Sequence, residues 1–420
     1  MKCVFVGLVS IFATLALTAQ DKPNIVLIIS DDQAWTDFGF MGHEVVETPH
    51  LDRLASQSAV FPRGYVPSSL CRTSLASIIT GLYPHQHGIT GNDPRKGVSR
   101  HLMLEHIDRA ATLPKILGPL GYRSLQTGKW WEGHHRRGGF TDGMTHGDPA
   151  RRGRHGDEGL KVGRESMQPI NDFLDDCKEK QEPFFVWYAP FLPHTPHNPP
   201  ERLLEKYRAP DRSAFVAKYY AMCEWFDETC GQLLAALDSR DLTENTLVLF
   251  VVDNGWIQKP DRRGFAARSK RSPYDGGLRT PIMVRWPGKV SPGEHQKPVS
   301  SIDLAPTILK ACGAEVPDGL PGLDLISMAR EEGDEREAIF GATFDHDVAD
   351  LHDPAESLQF RWTVAGRFKL IQPADSGVAG ELFDLLADPH EKRDLAADSP
   401  DQVARLRALL DAWWPGTSDN

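Results

Sequence analysis

The chain has 420 residues, 40% of them hydrophobic and 25% charged, enough to bury one large core with a smaller appendage. Lysine and arginine number 47 against 58 aspartates and glutamates, a net charge of -11. That balance excludes general nucleic-acid affinity while leaving room for a local basic pocket.

Met1-Lys2 and the apolar residues 4–17 read as a secretory signal peptide, cut among residues 16–19 before the polar Gln20-Asp21-Lys22. The apolar stretch falls short of the roughly 20 residues a membrane span needs. The mature protein is therefore expected to be exported, periplasmic or secreted, and free of the membrane. Cys3 falls in this leader, leaving Cys71, Cys177, Cys223, Cys230 and Cys312. An odd number in an oxidising compartment leaves at least one unpaired. Cys223 and Cys230 are expected on one helix, two turns apart and out of reach of a bridge. No cysteine spacing suggests zinc.

Beyond the leader, strand-like runs alternate with amphipathic helical segments, which predicts an α/β fold with a largely parallel sheet. The apolar run Ile25-Val26-Leu27-Ile28-Ile29 closes on Asp31-Asp32. Thr48-Pro49 predicts a helix start, with a hydroxyl cap and proline in the first turn. Residues 74–79 predict a short helix just after Cys71. Residues 184–188 read as a buried strand ended by a proline-rich loop over 190–200. A long helix is predicted over 213–237, then the strand Leu247-Val248-Leu249-Phe250-Val251-Val252, closed by Asp253-Asn254. Residues 256–277 form a loop rich in Arg, Lys and Gly, and 301–312 a further helix. After about Leu325 short segments near 361–364, 368–371 and 381–385 suggest an antiparallel meander, closed by a helix over about 400–414. The expected division is a signal peptide (1–19), a catalytic domain (20–325) and a C-terminal α+β subdomain (326–420).

Asp31-Asp32 and Asp253-Asn254 together offer three carboxylates and an amide oxygen, hard donors suited to Ca²⁺ or Mg²⁺ rather than zinc or copper. Carboxylates at the carboxyl ends of parallel strands converge on the crevice where open α/β sheets bind ligands. Lys129, His194 and Lys270 are cations that, beside a divalent metal, make a pocket for a tetrahedral anion; a histidine or lysine there can also protonate a leaving alcohol. A helix start at Cys71 is expected to lower its thiol pKa and to favour an anion beside it.

Taken in order, Asp31-Asp32, Thr80-Gly81-Leu82-Tyr83-Pro84-His85, Gly128-Lys129-Trp130, Pro193-His194-Thr195-Pro196, Asp253-Asn254-Gly255 and Tyr274-Asp275-Gly276-Gly277-Leu278-Arg279-Thr280-Pro281 resemble the sulfatase family, within the alkaline phosphatase superfamily. Arg285-Trp286-Pro287-Gly288 and Leu382-Phe383-Asp384-Leu385 extend the resemblance towards the C-terminus. It implies an alkaline phosphatase-like sandwich of helices around a large, mostly parallel sheet, with a smaller C-terminal subdomain carrying an antiparallel sheet. It implies Ca²⁺ held by Asp31, Asp32, Asp253 and Asn254, with Mg²⁺ as the alternative. It further implies that a maturation enzyme converts Cys71 to formylglycine, whose hydrate attacks the sulfur of a sulfate ester. Lys129, His194 and Lys270 would contact the sulfate, and the sulfated hydrate would then eliminate sulfate to regenerate the aldehyde.

Two of the family's motifs are altered here. Thr73 and Leu75 stand where the maturation motif has proline or alanine and arginine, and Trp131 stands where Gly-Lys-Trp-His has its histidine. Arg72, His134 or His135 are the candidates to substitute in space, a matter of tertiary structure that the sequence does not show. The expected activity is hydrolysis of a sulfate ester, on a carbohydrate. That substrate class follows from the basic and aromatic tract 130–164, which includes Trp130, Trp131, Arg136, Arg137, Arg151, Arg152, Arg154 and Arg164. The alternatives are a catalytically silent relative that binds sulfated glycans and a phosphoesterase of the same superfamily.

Overall fold

The computed structural model describes residues 22–147, 157–375 and 377–417. The expected signal peptide and Arg151, Arg152 and Arg154 lie outside the described residues. In chain order the main elements are β1 (Asn24–Ser30), α1 (Pro49–Ser56), β2 (Ala59–Tyr65), α2 (Cys71–Thr80), β3 (Arg123–Gly128) and α3 (Gln168–Lys180). There follow β4 (Phe184–Ala189), α4 (Ala214–Asp238), β5 (Thr246–Val252), β6 (Arg279–Arg285) and α5 (Leu304–Ala311). The chain finishes with β7 (Ile339–Phe344), β8 (Leu358–Ala365), β9 (Phe368–Pro373), β10 (Glu381–Asp384) and α6 (Pro400–Trp413).

The large sheet runs β2-β6-β5-β1-β4-β3, extended by two-residue strands at its edges. Strands β5, β1, β4 and β3 pair in parallel, whereas β6 runs antiparallel to both of its neighbours. Both faces are buried, which is why these strands read as unbroken apolar runs. Ile25, Leu27 and Ile29 face one core with Leu75, Ile78 and Ile79 of α2 and Ile308 of α5. Val26 and Ile28 face the other, with Leu51 of α1, Phe173 of α3 and Phe226 of α4. The second sheet is antiparallel, in the order β7-β8-β9-β10. Trp362 and Ile371 pack it into the first core, while Leu370 and Leu382 meet Leu406 and Leu410 of α6 on its far side.

Cys71, Cys177, Cys223, Cys230 and Cys312 are all buried and unpaired, and Cys223 and Cys230 do share α4. Among the described residues no helix is long and apolar enough to cross a membrane.

The start of α1 departs from expectation in one detail. Thr48 does not cap it: its hydroxyl accepts from Gly39 N–H (2.8 Å) and donates to Asp52 Oδ1 (2.9 Å). The capping oxygens come instead from Asp227 on α4, which accepts from His50 N–H (3.1 Å) and Leu51 N–H (2.7 Å). Burial pushes the Asp227 carboxyl up to about 7 despite these two donors. Its folded pKa thus exceeds its unfolded value of about 3.9, so the folded state binds the extra proton between those limits and this group's contribution to stability falls as pH rises from about 4 to 7. Urea unfolding across that range should give a flatter stability profile for Asp227→Asn than for the wild type; an identical slope would refute the assignment.

Candidate active site

Four chain segments converge at the carboxyl ends of β1, β5, β4 and β3. The register pairs Ser30 with Val252, so Asp31 and Asp253 leave the sheet side by side. Asp31 N–H donates to Leu192 O (3.0 Å), and Asp253 N–H donates to Ser30 O (2.9 Å). Asp32 adopts a left-handed backbone (φ 64°), a conformation that aspartate tolerates better than most residues. Its N–H and that of Asn254 both donate to Asp253 Oδ1, at 3.0 and 2.6 Å. All four side chains are buried.

Lys129 follows β3 through Gly128, where a Cβ would lie 1.8 Å from Ala189 O, so only glycine fits this turn. Its backbone is held on both sides, N–H to Ala189 O (2.6 Å) and carbonyl to Trp187 Nε1 (3.1 Å). The ammonium group donates to Asp31 and, at 3.0 Å, to Asp253 Oδ2. Burial alone would lower the Lys129 pKa, but Asp253 and Asp31 outweigh it and hold the amine well above its usual range.

Lys270 comes from the loop before β6. Ser69 pins that loop by accepting from Arg271 N–H (2.9 Å) and donating its hydroxyl to Ser272 O (2.7 Å). Its ammonium donates to both oxygens of Asp32 (2.6 and 2.8 Å) and lies 2.9 Å from Cys71 Sγ. Burial opposes its charge, and Asp32 more than restores it. His194 reaches Asp32 Oδ2 with Nε2 (3.4 Å), its Nδ1 lying 2.6 Å from Thr195 O. Burial holds the imidazole well below its usual pKa despite Asp32.

Cys71 is the first residue of α2, with Sγ 3.8 Å from Asp32 Oδ1. The helix start was expected to lower its pKa; instead, burial pushes the thiol up to about 12, against the pull of Lys129 and Lys270. As a plain thiol it is therefore a poor nucleophile.

Asp31 Oδ2 and Asn254 Oδ1 are buried without a hydrogen-bond partner among the described residues. Two orphaned oxygens within a set of carboxylate and amide donors fit a hard divalent cation. Ligand atoms of Asp31, Asp32, Cys71 and His194 also lie within 4.8 Å of one another, a grouping able to hold a metal.

None of the three expected substitutes shows a contact with Cys71. The Arg72 guanidinium is buried in a two-pronged ion pair with Glu132 (2.6 and 2.7 Å) and also donates to Gly91 O and Met103 O. His134 and His135 pack on each other, their ring centroids 4.2 Å apart, and His135 turns Nδ1 to Thr145 O. Leu75 lies in the apolar core. Trp131 places its ring 5.5 Å from the Lys129 ammonium and packs edge-on against Phe191, which stacks on His194. Of the basic tract, Arg137 pairs with Asp108, and Arg164 donates to the carbonyls of Phe191 and His194 and to Asn198.

Sequence reasoning missed Glu132 and the cleft beside His194. That cleft holds about 660 Å³ and is lined by Phe191, His197, Phe215, Lys218, Trp256, Arg263 and Phe265 among others. Its only sequence signal was the Arg-, Lys- and Gly-rich wording of 256–277, which carries no direction in space.

A profile described as Sulfatase matches residues 23–314, and one described as N-sulphoglucosamine sulphohydrolase, C-terminal, matches 265–412. Human arylsulfatase A is 30% identical over 74% of this chain and 68% of its own length. An N-acetylgalactosamine-6-O-sulfatase of Bacteroides thetaiotaomicron is 25% identical over 94% of this chain and 93% of its own. The crystal structure of Ps i-CgsB superposes with a TM-score of 0.77 at 24% identity, covering 94% of each chain. The chain belongs to the sulfatase family and is an enzyme of the sulfuric ester hydrolase class.

The Arg72–Glu132 pair ties the start of α2 to the Lys129–Trp131 segment. Arg72→Ala leaves Glu132 as a buried uncompensated charge and should destabilise the protein by about 3–5 kcal/mol in urea unfolding. The double variant Arg72→Met/Glu132→Leu should recover most of that loss, and equal losses in both would contradict the pairing.

Proposed function

We propose that this protein is exported and hydrolyses sulfate esters of carbohydrates, adding water across the ester S–O bond to release the alcohol and inorganic sulfate. The observation that carries the reading is Cys71 Sγ lying 2.9 Å from the Lys270 ammonium, beside Asp32 and grouped with Asp31 and His194. Asp31, Asp32, Asp253 and Asn254 would hold Ca²⁺, with Mg²⁺ as the alternative; such an ion supplies fixed positive charge that polarises a sulfate oxygen. Matured to formylglycine, residue 71 supplies an oxygen nucleophile in place of the thiol.

The remaining roles belong to the chain's own side chains. Lys129 and Lys270 neutralise the sulfate oxygens, with charge held in place before the reaction begins. Lys270 also sits where it can orient the nucleophile, since it already donates to the residue 71 side chain. His194 faces the cleft; neutral in the free protein, it would take up a proton beside the bound sulfate anion and pass it to the departing alcohol oxygen. Trp131 and Phe191 exclude water from the Lys129 side, which strengthens each of these interactions. The absence of the motif arginine at Leu75 leaves Lys270 as the cation contacting residue 71 among the described residues.

Ion chromatography after incubation with N-acetylgalactosamine 6-sulfate should show sulfate release, reduced roughly a thousandfold or more in Cys71→Ala. Mass spectrometry of the tryptic peptide 64–72 from the native host should show the aldehyde form, lighter than the thiol; an unmodified thiol in active protein would remove formylglycine from the reading. Calcium at about 100 times its Kd should raise unfolding stability by about 2.7 kcal/mol, and Asp31→Asn should remove that increment. Calcium-independent unfolding of the wild type would count against the metal assignment.

A further inference from the structure

The cleft beside His194 differs in charge from the rest of the molecule. The protein carries 58 acidic side chains and a net charge of -11, yet among the described residues no aspartate or glutamate lines this cavity. Lys218 and Arg263 do line it, both exposed and without an ion-pair partner among the described residues. Burial holds both lining histidines below their usual range, His197 at about 4, so the cleft's positive charge comes from the two long side chains.

The loop that carries Arg263 is built rather than loose. Gln258 bridges it, accepting from Trp256 Nε1 (3.2 Å) and donating to the carbonyls of Lys259 and Arg262 (both 2.9 Å). Lys259 N–H donates to Gly264 O (3.1 Å) and Ala266 N–H to Ile257 O (2.7 Å), closing a narrow hairpin. Gly264 makes its turn at φ +103°, a conformation that side chains rarely adopt. The hairpin sets Phe265 edge-on against Trp256, with ring centroids 5.2 Å apart. Trp256 in turn lies 5.8 Å from the Lys270 ammonium, so the aromatic wall runs from the reacting atoms outward to Arg263.

We propose that the substrate is a sugar bearing a second anionic group besides the sulfate that is cleaved, with its ring against Trp256 and Phe265 and that second group held by Lys218 and Arg263. This rests on the carbohydrate sulfatase reading and adds its selectivity. Arginine presents a planar fork that matches either a sulfate or a carboxylate, and lysine adds a point charge. Aromatic rings supply rigid apolar surface for a sugar face.

The test uses full-length protein and three probes: N-acetylgalactosamine 6-sulfate, its 4,6-disulfate, and a 6-sulfated disaccharide carrying a uronic acid. One or both doubly charged probes should show kcat/KM at least about tenfold above the monosulfate, the scale of one charge-assisted hydrogen bond. Lys218→Ala/Arg263→Ala should lower that ratio towards unity, mainly through KM. Which doubly charged probe is preferred identifies the second group as sulfate or carboxylate. Equal kcat/KM for all three probes, or a preference that survives the double substitution, would overturn the proposal. If no probe loses sulfate, the hydrolase reading fails separately, and titration calorimetry decides the cleft: tighter binding of a doubly charged probe, lost in the double variant, supports it, and equal binding rejects it.

Discussion

The parallel pairing of β1 with β5 is the constraint on which the site depends. Because Ser30 pairs with Val252, the two acidic dipeptides leave the sheet together and are buried together. Unit charges about 4 Å apart repel by about 4 kcal/mol at an effective dielectric near 20, so three buried carboxylates require cations. Lys129 arrives from β3 and Lys270 from the loop before β6, each bonded to carboxylates of this cluster. The glycine turn at Gly128, the pinning of Lys270's loop by Ser69 and the left-handed backbone at Asp32 all serve that meeting of charges.

The departures from the sulfatase pattern occupy the other side of Cys71. Leu75 enters the core and Trp131 becomes part of an aromatic wall with Phe191 and His194. Arg72 follows Cys71 directly, but its guanidinium is held by Glu132 and two backbone carbonyls. Four of its five N–H donors are thereby taken by groups other than residue 71. The half of the site built from carboxylates and lysines therefore keeps the family's residues, while the positions around Cys71 that depart from its pattern are filled by packing.

The hairpin of residues 257–266 and the start of α4 line the cleft beside His194. On the proposed reading, their aromatic faces and two cations serve recognition rather than bond cleavage. The C-terminal sheet reaches the same region from behind: Lys369 on β9 bonds to Asp275 and Glu391 (both 2.7 Å), and Arg268 donates to Glu391 O (2.5 Å). The loop that presents Lys270 is thus fastened at its far end to the second sheet.

Much of this was legible in the linear chain because it is written in local patterns. Unbroken apolar runs closed by acids announce buried parallel strands and a crevice at their ends, and proline after Thr48 marks the start of α1. The alternation of strands and helices, the C-terminal meander and the four acidic or amide positions needed no knowledge of distant neighbours. Tertiary structure alone decided what depended on residues far apart in the chain. It took the α1 cap from Asp227 rather than Thr48, raised rather than lowered the Cys71 pKa by burial, and engaged Arg72 with Glu132 instead of the site. It also gathered Lys218, Arg263 and four aromatic rings into one cleft that no acid among the described residues lines. The physical reason is the same in each case: burial, partner and direction are properties of the packed chain, and residue type and spacing carry none of the three.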